Sequence, residues 1–269
     1  MEFVWNFLKI TLYPVGAVLI CGLIVWLCQK LFMNLLGRGG YKIVLAASII
    51  GTPIHELGHA AMCLLCGHKI SRLVLWQPPT ADGQLGYVQH TYNSKSLPQK
   101  LGNLLISTGP IFSGMAVLSL MLMLAFPDTW DAHVSTLKVL VQQDASVSEI
   151  ISCGLQLIPS LFAEFRSEAV PVWAQLLALL VMLSVSLHIN LSPADLQGVA
   201  GALPVYLAVT LVLAVVTTLL GRAVTGPVLG VLQSFHTFMM ATFTVVLVFA
   251  AAQVALALVL RVLLRPVRC

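Results

Sequence analysis

Charge is what this chain has least of. Of its 269 residues, 10 are acidic and 14 basic, so charged residues make up 9% of the sequence, against about 25% in a soluble domain. So few charges cannot solvate a globule of this size. No acidic or basic run stands out, and a formal net charge of +4 gives nothing for nucleic acid to bind, so no nucleic-acid partner is expected. A disulfide framework is missing too. Cys21, Cys28, Cys63, Cys66 and Cys153 lie in or near apolar segments, where they read as small buried hydrophobes. Cys269 is the last residue and lacks the three that a prenylation box needs after it. The N-terminus has neither a basic stretch nor a small-residue cleavage site, so its first apolar segment is expected to be retained. Disorder, a repeat solenoid and a disulfide-rich secreted fold are all excluded. What is present in abundance is apolar: 59% hydrophobic residues and a mean hydropathy of +0.96, arranged in long runs.

A membrane-crossing helix needs about 20 apolar residues. Six segments qualify, at 11–35, 41–66, 101–126, 171–191, 202–220 and 235–260. The expected fold is therefore an all-α polytopic membrane protein, one membrane domain over 1–269, with the lipid bilayer as its first partner. Six alternating spans put both termini on one side. That side then holds Lys9, Lys69, Arg72, Lys95, Lys100, Arg261, Arg265 and Arg268, eight positives against the six of Lys30, Arg38, Lys42, Lys138, Arg166 and Arg222. The positive-inside rule then places the termini in the cytoplasm by a narrow majority.

Two connections have character of their own. Residues 69–76 and 84–92 are rich in β-branched and aromatic side chains and flank Gln77-Pro78-Pro79-Thr80-Ala81-Asp82-Gly83. This predicts a β-hairpin at the inner membrane face. In the loop between the third and fourth spans, Ser146 and Glu149 form a capping-box pattern. It predicts a helix over 147–165, either amphipathic on the membrane surface or packed as an ordinary loop helix.

The chemistry concentrates in Thr52-Pro53-Ile54-His55-Glu56-Leu57-Gly58-His59. His55 and His59 are four apart, so a helix projects both imidazoles from one face onto one metal. Glu56 stands beside them, placed to take a proton from water on that metal. Zinc lowers the pKa of such water to about 7. Chance yields roughly 0.003 matches to His-Glu-x-x-His in a chain of this composition, and polar groups within an apolar span are costly and usually functional.

A catalytic zinc commonly takes three protein ligands. The third follows by elimination. Glu2 is terminal, Asp82 lies in the hairpin turn, and Asp128, Asp131, Asp144, Glu149, Glu164 and Glu168 lie in the outer loop. Spans two and four run in the same direction, so the end of span four returns to the depth of His55 and His59, and only Asp195 is there. His188 is the reserve ligand, or else a histidine bridging helices. Cys63-x-x-Cys66 followed by His68 could make a second site, with simple packing as the other reading.

These residues resemble the site-2 protease family of intramembrane zinc metalloproteases (peptidase family M50). The features occur in that family's order: His55-Glu56-Leu57-Gly58-His59 in one span, Gly109-Pro110 in the next, and Asn190-Leu191-Ser192-Pro193-Ala194-Asp195 after the fourth. The resemblance covers about 41–200. Ser113 stands where the family usually has Asn, Gly198 follows Asp195 three positions later rather than directly, and a minimal member without a regulatory domain is expected.

The resemblance implies one zinc ion held by His55, His59 and Asp195, with Glu56 as the catalytic proton carrier. Its substrate would be a transmembrane protein or peptide, unwound and held along an edge of the hairpin. It implies that Asn190 or Thr108 bonds the substrate or the oxyanion, or else stabilises helix ends. Gly109-Pro110 is expected to bend span three. The competing class is a polytopic transporter or channel with a structural or transported metal ion. It would show an internal repeat, and none is evident.

Overall fold

The computed structural model describes residues 2–81, 83–143, 145–165 and 169–263. Asp82, Asp144, Arg166, Glu168, Arg265, Arg268 and Cys269 lie outside them. Eight helices and two strands follow in the order α1 (Glu2–Leu36), α2 (Arg38–Leu65), β1 (Lys69–Val74), β2 (Tyr87–Thr91), α3 (Leu97–Ala125), α4 (Pro127–Gln142), α5 (Val147–Glu164), α6 (Val172–Ser186), α7 (Pro193–Leu220) and α8 (Arg222–Leu263). Every expected span falls on a helix, and the expected hairpin is an antiparallel pair running from Lys69 opposite Thr91 to Val74 opposite Tyr87.

Local chemistry sets the boundaries. Gly37, at φ 55°, turns the chain between α1 and α2. Ser96 caps α3 by accepting from the Gln99 amide. Ser146 and Glu149 form the expected capping box of α5. Ser192 and Asp195 form a second box at the start of α7, with Pro193 in its first turn. α4 has no counterpart among the sequence expectations. Its Asp128, Asp131 and Lys138 break the apolar pattern, and its first turn is held by Glu164, which accepts from the Asp128 and Thr129 amides at 3.1 and 2.9 Å.

Four helices, α1, α3, α7 and α8, are long and apolar enough to cross a membrane. Their outward faces are apolar: Leu219 is 81% exposed, Val231 70% and Leu263 72%, a surface that water does not tolerate. The shared core lies between α1, α3, α6 and α8, where Cys21, Ile111, Leu118, Met182, Phe243 and Val246 meet. α5 is a packed helix. Ile150, Cys153, Gly154 and Leu157 are buried, and Gly154 lies against Thr244 of α8. Its other face leaves Ile151, Leu155, Ile158 and Phe162 exposed.

The helix directions depart from a simple up-and-down series. Thr11 donates to Thr210, the Tyr206 hydroxyl donates to the Thr11 carbonyl, and Asn190 pairs with Gln29. α1 and α7 are therefore antiparallel, and Glu2 and Arg222 close that pairing at 3.2 Å. Tyr13 stacks on His236, and Phe32 clusters with Ala257, so α1 and α8 are parallel. Gly22 faces Ile111, and Val15 and Leu19 pack with Leu104, so α3 runs with α1. α6 runs against α3: Gln175 bonds the Glu164 carbonyl beside the end of α3, and Ile189 seats against Gly114.

α6 and α7 thus point the same way, in series, broken at residues 187–192. The sequence expectation treated 171–191 and 202–220 as two opposed spans and set Arg222 across from Lys9. The structure corrects this. At 15 residues, α6 is about 22 Å long, short of a hydrocarbon core of about 30 Å, and the chain continues onward instead of turning back.

Candidate metal centre

α2 runs helically through the motif, so His55 and His59 share a face as their spacing requires. Their rings meet edge to face, centroids 4.9 Å apart. The Nδ1 of His55 lies 2.7 Å from the His188 carbonyl oxygen, and the Nδ1 of His59 lies 2.7 Å from that of Ile106. A carbonyl only accepts, so both Nδ1 atoms carry the proton and donate. In this tautomer it is Nε2 of each ring that can present a lone pair. Those two atoms are 3.2 Å apart.

Asp195 completes the group. Its Oδ1 lies 3.2 Å from His59 Nε2, and its Oδ2 lies 4.0 Å from His55 Nε2. The carboxylate is oriented by the capping box, in which Oδ2 accepts from the Ser192 amide at 2.7 Å and the Asp195 amide donates to Ser192 Oγ at 3.2 Å. Two lone pairs and a carboxylate converging at these distances repel unless a proton or a metal ion lies among them. Zinc bonds of about 2.0–2.1 Å in a tetrahedron separate the donors by about 3.3 Å, so the donor set fits such an ion. Among the described residues, His55, His59 and Asp195 are the group of His, Cys, Asp and Glu close enough to hold a metal.

The group opens on a cavity of about 800 Å³, within the usual range for ligand pockets. α2 lines it with Thr52, His55, Glu56 and His59, α3 with Asn103 and Ser107, residues 83–90 form another wall, and His188, Asn190 and Asp195 a further one. Glu56 is buried against that second wall. A Cβ on Gly86 would stand 2.9 Å from Glu56 Cγ, Thr52 Cγ2 and the Val74 carbonyl, so only a glycine lets the hairpin seat on α2. The other close approach is between helices. A Cβ on Gly58 would come within 2.5 Å of the Gly109 carbonyl oxygen, and the converse holds for Gly109. These glycines bring α2 and α3 into backbone contact, and Ser113 ties them further by donating to the Ile54 carbonyl at 2.8 Å.

Of the expected site residues, the structure gathers His55, Glu56, His59, Asp195 and Asn190 around the cavity. Asn190 donates to Gln29 Oε1, while Gln29 Nε2 donates to the Leu187 carbonyl at 2.8 Å. Thr108 stays apart: it is buried, and its hydroxyl donates to the Leu104 carbonyl of its own helix at 2.9 Å. His188 lies outside the ligand group. Its Nδ1 donates to the Ser184 carbonyl at 2.8 Å, and its buried Nε2 has no partner among the described residues.

Cys63 and Cys66 are free thiols. His68 pairs elsewhere, its Nε2 donating to the Gln99 carbonyl at 2.9 Å and its Nδ1 accepting from His90 Nδ1 at 3.0 Å. Burial first, and then the neighbouring imidazoles of His68 and His59, which disfavour a proton beside them, hold His90 below the ordinary imidazole range. Sequence reasoning missed Gln29, Gly86 and Ser192. Only Ser192 left a readable signal, in Ser192-x-x-Asp195. Compared with family models, curated proteins and solved structures, the chain finds no match, so a functional reading rests on its own residues.

Proposed function

We propose that this protein is an intramembrane zinc metalloprotease, similar to the site-2 protease family, that hydrolyses peptide bonds within or near transmembrane segments of membrane proteins. The observation that supports this reading most is the convergence of His55 Nε2, His59 Nε2 and the Asp195 carboxylate beside Glu56, on one cavity wall. Zinc bound by those three side chains would supply a Lewis acid for a peptide carbonyl and make water acidic at neutral pH.

The chain's own residues would do the rest. Glu56 accepts a proton as water adds to the carbonyl carbon, and returns it to the amide nitrogen as the C–N bond breaks. Asn190, held by Gln29, offers its carbonyl oxygen to a substrate amide. β2 pairs with β1 along one edge, and along its other edge it pairs with no strand among the described residues, so that edge can take an extended substrate strand. Because a helical peptide bond is shielded by its own hydrogen bonds, the substrate must unwind to bind there.

In the bilayer, α1, α2, α3 and α8 each make one passage, and α6 with α7 make a single broken one. This gives five passages in place of six and puts the two ends of the described chain on opposite sides. The hairpin lies at the membrane face on the side of Glu2. Arg222 then joins the hairpin side and Arg261 leaves it, so among the described residues that side holds Lys9, Lys69, Arg72, Lys95, Lys100 and Arg222 against Lys30, Arg38, Lys42, Lys138 and Arg261, the same narrow majority for a cytoplasmic hairpin.

The test uses the full-length protein purified without chelators and returned to lipid vesicles with single-span helical peptides. The proposal expects one zinc per chain by elemental analysis and cleavage products by mass spectrometry, with Glu56→Gln keeping the zinc and losing the products. Cleavage undiminished in Glu56→Gln would overturn it.

A further inference from the structure

We infer that Pro110 is a positioning residue for the metal centre: by lacking an amide N–H it leaves the Ile106 carbonyl free to orient His59. The inference rests on reading His55, His59 and Asp195 as metal ligands.

α3 is helical from Leu97 to Ala125 with Pro110 inside it. In an α-helix each carbonyl accepts from the amide four residues on. The partner of the Ile106 carbonyl would be the amide of residue 110, and a proline has none. A buried carbonyl without a donor is unfavourable. Here the donor comes from the neighbouring helix, as His59 Nδ1–H reaches Ile106 O at 2.7 Å. The adjoining residue makes that reach possible. Gly109 admits the backbone of Gly58 at a separation where a Cβ on either would stand 2.5 Å from the facing carbonyl oxygen. Gly109 therefore brings α2 close, and Pro110 leaves an acceptor waiting at the point of contact.

The other histidine obeys the same logic. His55 Nδ1 donates to the His188 carbonyl at 2.7 Å. That carbonyl lies just past the last residue of α6, Ser186, where helical carbonyls run out of amide partners. The amide of Ser192, four residues on, is taken by Asp195 Oδ2. Each ligand imidazole is thus oriented by a carbonyl that its own helix cannot use. An acceptor of this kind fixes the tautomer of a ligand histidine and raises its basicity. Gly109-Pro110 was expected only to bend its span, and on this argument it also sets the ligand field.

The experiment separates the missing N–H from the shape of the ring. Two forms of the full-length protein are compared with the wild type: Pro110→Ala, which restores the N–H, and a form carrying lactic acid at position 110 by nonsense suppression, whose ester linkage again lacks it. Zinc affinity is measured by competition with a chromophoric chelator. The wild type and the ester form are expected to agree within about twofold, with Pro110→Ala weaker by about 10–100-fold. Wild-type affinity in Pro110→Ala overturns the inference, as does an ester form as weak as the alanine form. A wild type that binds no zinc at all removes the metal reading itself, which the variants alone would not do.

Discussion

The two halves of the candidate metal centre are built in opposite ways. His55 and His59 come from an unbroken helix, and their relation is fixed by helical geometry at a spacing of four. Asp195 comes from a chain that leaves α6, crosses residues 187–192 without regular structure and enters α7 through a capping box. The first half needs only that α2 be helical. The second needs Ser192 to hold the carboxylate, and Gln29 of α1 to hold the connection through Leu187 and Asn190. A ligand pair on one helix is insensitive to packing, whereas a ligand on a break depends on whatever secures the break.

Removing the helical half should have the largest effect. His59→Ala takes away one of three donors and the bond to Ile106, so bound zinc, measured by elemental analysis of the purified protein, is expected to fall below one tenth per chain. If zinc persists, the two halves are not one site. Next comes the contact beneath that half. Gly58→Ala puts a methyl against the Gly109 carbonyl, which as backbone cannot swing aside. A loss of about 1–3 kcal/mol is expected, read as a lower melting temperature in detergent.

The irregular half gives a graded answer. Ser192→Ala leaves all three ligands in place but removes the hydroxyl that the Asp195 amide donates to. It should cost about 1 kcal/mol of stability and weaken zinc by about tenfold, measured by chelator competition. An unchanged zinc affinity would show that Asp195 needs no help from its cap.

The smallest effect belongs to the hairpin. His90 has its folded-state pKa lowered by burial and by the neighbouring imidazoles, so below about pH 6.5 the unfolded chain binds more protons at this residue than the folded one. The stability tied to neutral His90 is complete above that pH and is lost as the pH falls towards the folded value. Hydrogen exchange across Tyr87–Thr91 should therefore be steady from pH 8 to about 7 and faster, after correction for intrinsic rates, near pH 5.5. His90→Gln should flatten the change.

Much of this was legible in the residues. The apolar runs marked the helices, because a run of that length buried in protein or lipid must satisfy its own backbone groups. The hairpin was legible in its β-branched strands around Pro78, Pro79 and Gly83. The capping box of α5 stood in Ser146 and Glu149, and Asp195 was reached by elimination because so few carboxylates exist. Thr108 could not be judged, since the rotation of α3 alone decides whether a hydroxyl at that position faces the cavity or its own helix. The break after α6 was also hidden: the run 171–191 is apolar throughout most of its length, and nothing local says that the chain continues onward instead of returning.

By itself, the sequence determined those properties that depend on neighbours along the chain: helical stretches, caps, the turn of the hairpin and the common face of His55 and His59. The tertiary structure alone decided the direction of α7, the meeting of Gly58 with Gly109, the place of Gln29 and the carbonyls that orient both imidazoles. The physical reason is range. Torsional preferences and the 3.6-residue repeat act over a few residues, whereas these contacts join residues more than 40 positions apart and exist only once the helices have packed.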